Sequence, residues 1–104
     1  MTTEHDTALF PGGVGGGGKQ RILVVEDDQD IAELVRFNLE QEGFGVTTAA
    51  DGEGALEALR KDGPALVILD LMLPGMTGLE VCRRIRSDQA TAALPIMMLT
   101  AKAA

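Results

Sequence analysis

Short apolar runs alternate with amphipathic segments along the chain after its first 20 residues. Two of the runs, Ile22–Val25 (ILVV) and Ala65–Leu69 (ALVIL), are continuous and contain many β-branched residues. That composition is typical of strands covered on both faces. Residues 44–49 (FGVTTA) are a weaker candidate, and a last apolar run, IMMLT, occupies residues 96–100. The pattern therefore predicts four strands.

Three amphipathic segments separate these strands. Asp28 and Asp51 are suited to cap the first two as helices, and Gly43 and Gly63 suit their ends. The inward faces are predicted from apolar residues at helical spacing, namely Ile31, Leu34, Val35 and Leu39, then Ala55, Leu56 and Leu59, then Leu79, Cys82 and Ile85. The order β-α-β-α-β-α-β predicts an α/β fold with a parallel sheet and right-handed crossovers.

The charge of the chain argues against one class of partner. The formal net charge is −7, of which residues 21–104 carry −6. Such a surface repels a phosphate backbone, and the absence of Trp and Tyr removes the usual platforms for base stacking. We therefore expect no direct binding of nucleic acid by this segment.

Targeting signals are also absent from the sequence. No apolar stretch approaches the ~20 residues that span a bilayer, and the N-terminus lacks the basic and then apolar segments of a signal peptide. The single cysteine, Cys82, excludes an internal disulfide and suits a reducing compartment. These features predict a cytoplasmic protein without a membrane partner.

Residues 1–20 contain a glycine-rich stretch that imitates two nucleotide-binding motifs. Gly13 begins both a Gly-x-x-x-x-Gly-Lys sequence and a Gly-x-Gly-x-x-Gly spacing. Each motif needs a strand before it and a helix after it, whereas here a strand follows and Gln20 stands where the phosphate loop has Ser or Thr. We interpret the stretch as part of a disordered tail, which leaves residues 21–104 to fold.

Acidic side chains follow two of the predicted strands. Glu26 and Asp27 end the first strand, Asp70 the third, and Thr100 the fourth. Ligands of open α/β sheets bind at the carboxyl ends of the strands, and three carboxylates meeting there would require a cation such as Mg²⁺. Taken singly, these carboxylates could be a solvated strand end or caps of turns. Together they predict a metal-dependent site with Asp70 as a carboxylate nucleophile.

Three segments carry a family resemblance, and they stand in the right order at the right spacing. ILVVEDD (residues 22–28), LVILDLMLPGMTGLEVCRRIR (66–86) and LPIMMLTAK (94–102) resemble the receiver domain of bacterial two-component response regulators. The likeness covers residues 21–104. It implies a flavodoxin-like, doubly wound parallel sheet.

The resemblance also implies roles for individual residues. Asp70 matches the phosphoacceptor, Asp27 the direct metal-binding carboxylate and Glu26 its more distant, often water-mediated partner. The backbone carbonyl of Met72 matches the remaining protein ligand of Mg²⁺. Thr100 matches the switch hydroxyl that moves toward the phosphoryl group.

The implied function is that of a signalling module rather than an enzyme. The family takes a phosphoryl group from a sensor histidine kinase and relays that state to an output, which in the transcription-factor class is a DNA-binding domain. Pro74 and Gly78 match the loop that shapes the pocket beside the acceptor. A haloacid-dehalogenase-like phosphatase also uses an Asp nucleophile and Mg²⁺, but it would require a second Asp where Met72 stands.

The sequence departs from the family pattern at its C-terminal end. A complete receiver has five strands and five helices, whereas about four strands and three helices are predicted here, in residues 21–104. The lysine of the fifth strand and the family's dimerisation surface have no counterpart, and Lys102 lies too close to Thr100 to replace that lysine. We expect weak or absent phosphorylation of the isolated chain and an aggregation-prone edge strand. The alternative is a non-functional or partner-completed fragment of a response regulator.

Overall fold

The computed structural model describes residues 19–99. Strands and helices alternate in the predicted order, and they are β1 (Arg21–Val25), α1 (Gln29–Gln41), β2 (Gly45–Ala49), α2 (Gly52–Asp62), β3 (Leu66–Asp70), α3 (Gly78–Ser87) and β4 (Ile96–Leu99). Strand β3 ends at Asp70, the residue that was predicted to end it, so the carboxylate belongs to the strand itself. None of the helices in this part of the chain has the length and apolar character needed to cross a membrane.

The four strands form one parallel sheet in the order β2-β1-β3-β4. Strand β1 lies between β2 and β3, and Val25 is the partner of Leu69 in the β1–β3 register. Because the strands are parallel, their carboxyl ends lie along the same edge of the sheet. This arrangement confirms the predicted α/β fold and brings the end of β1 next to the end of β3.

Each central strand contributes to two hydrophobic layers. In β1, Ile22 and Val24 pack on one side of the sheet against α1, whereas Leu23 and Val25 pack on the other side against α2 and α3. Successive side chains of a strand point to opposite faces, so a strand covered by helices on both sides must be apolar throughout. The layer beneath α2 and α3 includes the buried helix residues Ala55, Leu59, Val81 and Ile85.

Side chains cap the start of all three helices. Asp28 accepts hydrogen bonds from the backbone N–H groups of Asp30 and Ile31 at 2.9 and 3.2 Å, and Asp51 accepts one from Gly54 at 2.8 Å. Both caps were predicted from the sequence. Helix α2 is capped at its C-terminal end by Gly63, whose φ of 58° lies in the left-handed region that glycine adopts without strain.

Two residues that were predicted to face the core are exposed. Leu34 is 61% exposed and Leu79 is 62% exposed, so both predictions were wrong. In α3 the buried side chains are Val81 and Ile85, which are four residues apart, and Leu79 lies on a different face. In α1 the buried residue is Ala32. Its side chain is small and only weakly apolar, so it does not stand out in a pattern of large apolar residues.

The burial pattern predicts a sharp contrast between two leucine variants. We expect Leu69→Ala to lower the free energy of unfolding by about 2–5 kcal/mol, because Leu69 is fully buried between the helices and the sheet. We expect Leu34→Ala to change it by about 0.5 kcal/mol or less. Urea denaturation followed by circular dichroism measures both. Equal losses of unfolding free energy in the two variants would contradict the exposure of Leu34 on α1.

Candidate metal and phosphoryl site

Two strands deliver three carboxylates to the carboxyl edge of the sheet. Glu26 and Asp27 follow β1 directly, and Asp70 is the last residue of β3. Candidate ligand oxygens of these three side chains all lie within 4.8 Å of one another. The convergence predicted from the positions of the strand ends is therefore present in the fold.

The three carboxylates differ in their exposure to solvent. Asp70 is 1% exposed and Glu26 is 5% exposed, whereas Asp27 is exposed. Like charges brought this close in a buried setting repel one another, and a cation relieves that repulsion. Three carboxylate oxygens with one side open to water match the ligands that Mg²⁺ prefers, because this ion usually keeps several of its waters. The donor set thus fits a hard divalent ion.

The backbone after β3 holds the Asp70 carboxylate in place. Oδ1 of Asp70 accepts a hydrogen bond from the N–H of Met72 at 3.0 Å. This contact is the local turn that an Asp side chain forms with the backbone two residues on. In addition, the N–H of Leu71 donates to the carbonyl of Leu99 in β4 at 3.3 Å. The side chain of Asp70 is thereby held by its own loop, and the backbone that follows it is held by β4.

Gly78 allows the start of α3 to lie directly against the backbone of Asp70. A Cβ at position 78 would lie 2.5 Å from the carbonyl oxygen of Asp70 and 2.8 Å from Cα of Leu71. The N–H of Gly78 also donates to the carbonyl of Leu71 at 3.2 Å. No side chain fits into this approach, so glycine is required to keep α3 and the end of β3 together.

Glu26 has a structural contact in addition to its place in the acidic group. Its Oε2 accepts a hydrogen bond from the N–H of Asp28 at 3.0 Å, and its own N–H donates to the carbonyl of Ala49 in β2 at 2.9 Å. The first contact fixes the turn between β1 and α1. Asp27 lies within that turn, so Glu26 helps to position the exposed carboxylate.

The structure places some of the predicted site residues and leaves others untested. Glu26, Asp27 and Asp70 come together, and Met72 lies beside them in the loop after β3. The metal-ligand role of the Met72 carbonyl stays a prediction. Thr100 lies outside the described residues, as do residues 1–18 of the predicted tail.

Sequence reasoning missed the cap that begins α3. The Thr77 hydroxyl oxygen accepts a hydrogen bond from the N–H of Glu80 at 3.2 Å. The signal was available, because Thr-x-x-Glu before an apolar run is a recognised sign of a helix start. The close approach of Gly78 to Asp70 carried no comparable signal, since it depends on how the helix packs on the strand.

A doubly wound parallel sheet with an acidic group at its carboxyl edge defines the class of this protein. Residues 22–104 match the family model of the response regulator receiver domain. The chain therefore belongs to the receiver domain family of two-component response regulators. This confirms the family that the sequence motifs indicated.

Relatives and solved structures agree with the assignment. Over 84 residues the chain is 52% identical to the DNA-binding response regulator MtrA of Mycolicibacterium smegmatis, covering 81% of this chain and 36% of that protein. The N-terminal domain of a response regulator receiver protein from Methanoculleus marisnigri JR1 is 44% identical, with a TM-score of 0.76, over 78% of this chain and 66% of that one.

A second solved structure shows the same fold at lower identity. Chemotaxis response regulator CheY4 of Vibrio cholerae is 33% identical, with a TM-score of 0.78, over 84% of this chain and 72% of that one. The chain thus spans about a third of the length of its curated relative MtrA and about two thirds of these solved structures.

Proposed function

We propose that this chain is a cytoplasmic phosphoacceptor module in which Asp70 takes a phosphoryl group from a sensor histidine kinase. The observation that supports the proposal is the meeting of Asp70 with Glu26 and Asp27 within 4.8 Å at the edge of the sheet. A buried carboxylate that is held by its own loop and surrounded by further carboxylates is suited to a metal-assisted transfer of an anionic group.

The transfer would use Asp70 as the nucleophile. One carboxylate oxygen of Asp70 attacks the phosphorus of a phosphohistidine, a P–O bond forms, and the P–N bond to the imidazole breaks. The N–H of Met72 holds Oδ1 of Asp70 at 3.0 Å and so limits the orientations of the carboxylate. Positioning of this kind is the main contribution that a protein makes to phosphoryl transfer.

Asp70, Asp27 and Glu26 would hold Mg²⁺ together with the backbone carbonyl of Met72. When bound, the ion neutralises charge on the phosphoryl oxygens and on the carboxylates. Asp27, the exposed member, faces the side from which solvent or a donor protein can enter. Glu26 fixes the turn that carries Asp27 through its bond to the N–H of Asp28.

The output would lie outside the described residues. We propose Thr100 as the hydroxyl that responds to the phosphoryl group on Asp70, and a DNA-binding output in the intact protein. The second proposal is supported by the name of the relative MtrA, a DNA-binding response regulator. The net charge of −7 disfavours binding of a phosphate backbone by this segment itself.

Incubation of the wild-type chain with acetyl phosphate tests the proposal. With Mg²⁺ present, intact mass spectrometry should show a fraction of the chain that has gained one phosphoryl group. With EDTA in place of Mg²⁺ that fraction should fall at least about tenfold, because the carboxylates would then repel the donor. A chain that is folded by circular dichroism yet gains no phosphoryl group would overturn the proposal.

Metal binding can be tested separately through stability. Saturating Mg²⁺ should raise the melting temperature of the wild type, since a ligand present at 100 times its dissociation constant stabilises the native state by about 2.7 kcal/mol. In Asp27→Ala the rise should disappear. The matched control is Asp28→Ala, which loses the α1 cap at a cost of about 1 kcal/mol but should keep its response to Mg²⁺. An unchanged response in Asp27→Ala would exclude Asp27 as a ligand.

A further inference from the structure

Helix α2 begins with a glycine that is buried against the start of α3. This residue is Gly52, and a Cβ at its position would lie 2.8 Å from Cγ2 of Val81 and 3.0 Å from Sδ of Met76. Non-bonded carbon atoms pack at about 3.5–4.0 Å, so neither neighbour leaves room for a methyl group. The side chains of Met76 and Val81 therefore meet at the backbone of Gly52.

Met76 and Val81 hold the two positions that fix how a chain enters a helix. Thr77 is the N-cap of α3, so Met76 is the residue before the cap and Val81 is the fourth residue of the helix. Apolar side chains at these positions pack together as a hydrophobic staple, which sets the entry angle of the chain. Val81 is fully buried, and Met76 packs against the same core cluster. Gly52 thus contacts the staple of α3 from the side of α2.

The segment that the staple orients is joined directly to the acceptor strand. Only residues 71–75 separate Asp70 from Met76. The N–H of Gly78 donates to the carbonyl of Leu71 at 3.2 Å, and the α-carbon of Gly78 lies against the carbonyl of Asp70. A change in the entry angle of α3 would therefore move its first turn relative to the end of β3 and to the loop that holds the Asp70 carboxylate.

We propose that Gly52 is a positioning residue for phosphoryl transfer to Asp70. Because Gly52 has no side chain, the start of α2 lies directly against the staple of Met76 and Val81. The staple in turn keeps the first turn of α3 against the backbone of Asp70. This role rests on the proposed acceptor function of Asp70. It extends the support of the site to α2, a helix that supplies none of its carboxylates.

Gly52→Ala should slow the labelling of Asp70 by acetyl phosphate and Mg²⁺ about tenfold or more, because the acceptor loop is displaced. Alanine favours a helix over glycine, so a slower reaction would arise from the new contacts with α3 and not from helix propensity. Gly54→Ala is the matched control in the same turn of α2. Its Cβ would meet Asp51 and Ala49 but no atom of α3, and its labelling should equal that of the wild type.

A size swap between positions 52 and 81 separates positioning from a simple loss of stability. Val81→Ala removes Cγ2, the atom nearest to the added methyl group, and alone it should loosen the staple and slow labelling about threefold. When Gly52→Ala is combined with Val81→Ala, the new Cβ fills part of the gap, so labelling should be faster than in either single variant. If the two changes only destabilised the fold, their effects would add and the double variant would be the slowest.

Amide hydrogen exchange followed by NMR reports the position of α3 without any phosphoryl donor. The N–H of Gly78 is bonded to Leu71 across the contact in question, and the N–H of Val67 is bonded to Pro95 within the sheet. In Gly52→Ala the exchange of the Gly78 amide should accelerate about tenfold more than that of the Val67 amide, since the opening is local. In the double variant the Gly78 amide should return toward its wild-type rate.

The outcomes separate the role of Gly52 from the function on which it rests. A folded wild type that gains no phosphoryl group would overturn both. If the wild type is labelled, the positioning role alone would be overturned by wild-type labelling of Gly52→Ala, by a double variant slower than both single variants, or by equal acceleration at Gly78 and Val67.

Circular dichroism at the assay temperature shows which variants are folded. If Gly52→Ala is not folded, the comparison of the double variant with Val81→Ala decides. Adding Gly52→Ala to Val81→Ala should then speed labelling, and slower labelling would overturn the positioning role.

Discussion

An Asp70→Asn chain should gain no phosphoryl group from acetyl phosphate and Mg²⁺ under conditions in which the wild type gains one. Asparagine has nearly the same shape as aspartate, and its amide oxygen can still accept the hydrogen bond from the N–H of Met72. It has no ionised oxygen, however, and so cannot act as the nucleophile. The expected effect is a loss of labelling to background, which intact mass spectrometry measures directly.

The chain supplies a matched control for this variant in Asp28→Asn. Asp28 belongs to the same acidic surface, but its side chain caps α1, and asparagine caps helices as well as aspartate does. Labelling of Asp28→Asn should therefore equal that of the wild type. Persistent labelling of Asp70→Asn would mean that another residue accepts the phosphoryl group. Loss of labelling in both variants would mean that labelling depends on the overall negative charge of the surface and not on Asp70 alone.

The second large effect is expected from Gly78→Ala. The added Cβ would lie 2.5 Å from the carbonyl oxygen of Asp70, so either α3 or the end of β3 must move. Overpacking of this kind costs about 1–3 kcal/mol, which for a domain of this size lowers the melting temperature by roughly 5–20 °C. Because the displaced backbone carries the acceptor, labelling of Asp70 should also fall, by about tenfold or more.

Gly54→Ala is the control for the glycine effect. Gly54 lies in the first turn of α2, where a Cβ would be 3.1 Å from an Asp51 carboxylate oxygen and 3.6 Å from Cβ of Ala49. Alanine favours a helix over glycine by about 1 kcal/mol, which offsets this tighter contact. We expect stability within about 1 kcal/mol of the wild type and unchanged labelling. If Gly78→Ala behaved in the same way, α3 would not depend on its close approach to Asp70.

The sequence predicted the order of the elements because the buried strands have an unmistakable composition. Ile22–Val25 is covered by helices on both faces, and only a continuous apolar run satisfies that environment. Helix faces were harder to predict. Leu34 and Leu79 fit an apolar spacing and yet are exposed, since spacing alone does not show which side of a helix the sheet occupies.

The carboxylates of the site were predictable for a topological reason. Once β1 and β3 are parallel neighbours, Glu26, Asp27 and Asp70 must meet at one edge of the sheet. The approach of Gly78 to the Asp70 carbonyl could not be predicted in the same way. It depends on the packing of α3 against the sheet, which sequence spacing does not encode. The position of Thr100 falls outside the described residues and stays a prediction.

Chemical trapping distinguishes Asp70 from the neighbouring carboxylates as the acceptor of the phosphoryl group. After incubation of the wild-type chain with acetyl phosphate and Mg²⁺, sodium borohydride reduces an aspartyl phosphate to homoserine, and tandem mass spectrometry of the peptides locates it. We predict homoserine at position 70 and unmodified aspartate at positions 27 and 28. Homoserine at position 27 or 28 instead, or none in a chain that has gained a phosphoryl group, would contradict the assignment of Asp70 as the acceptor.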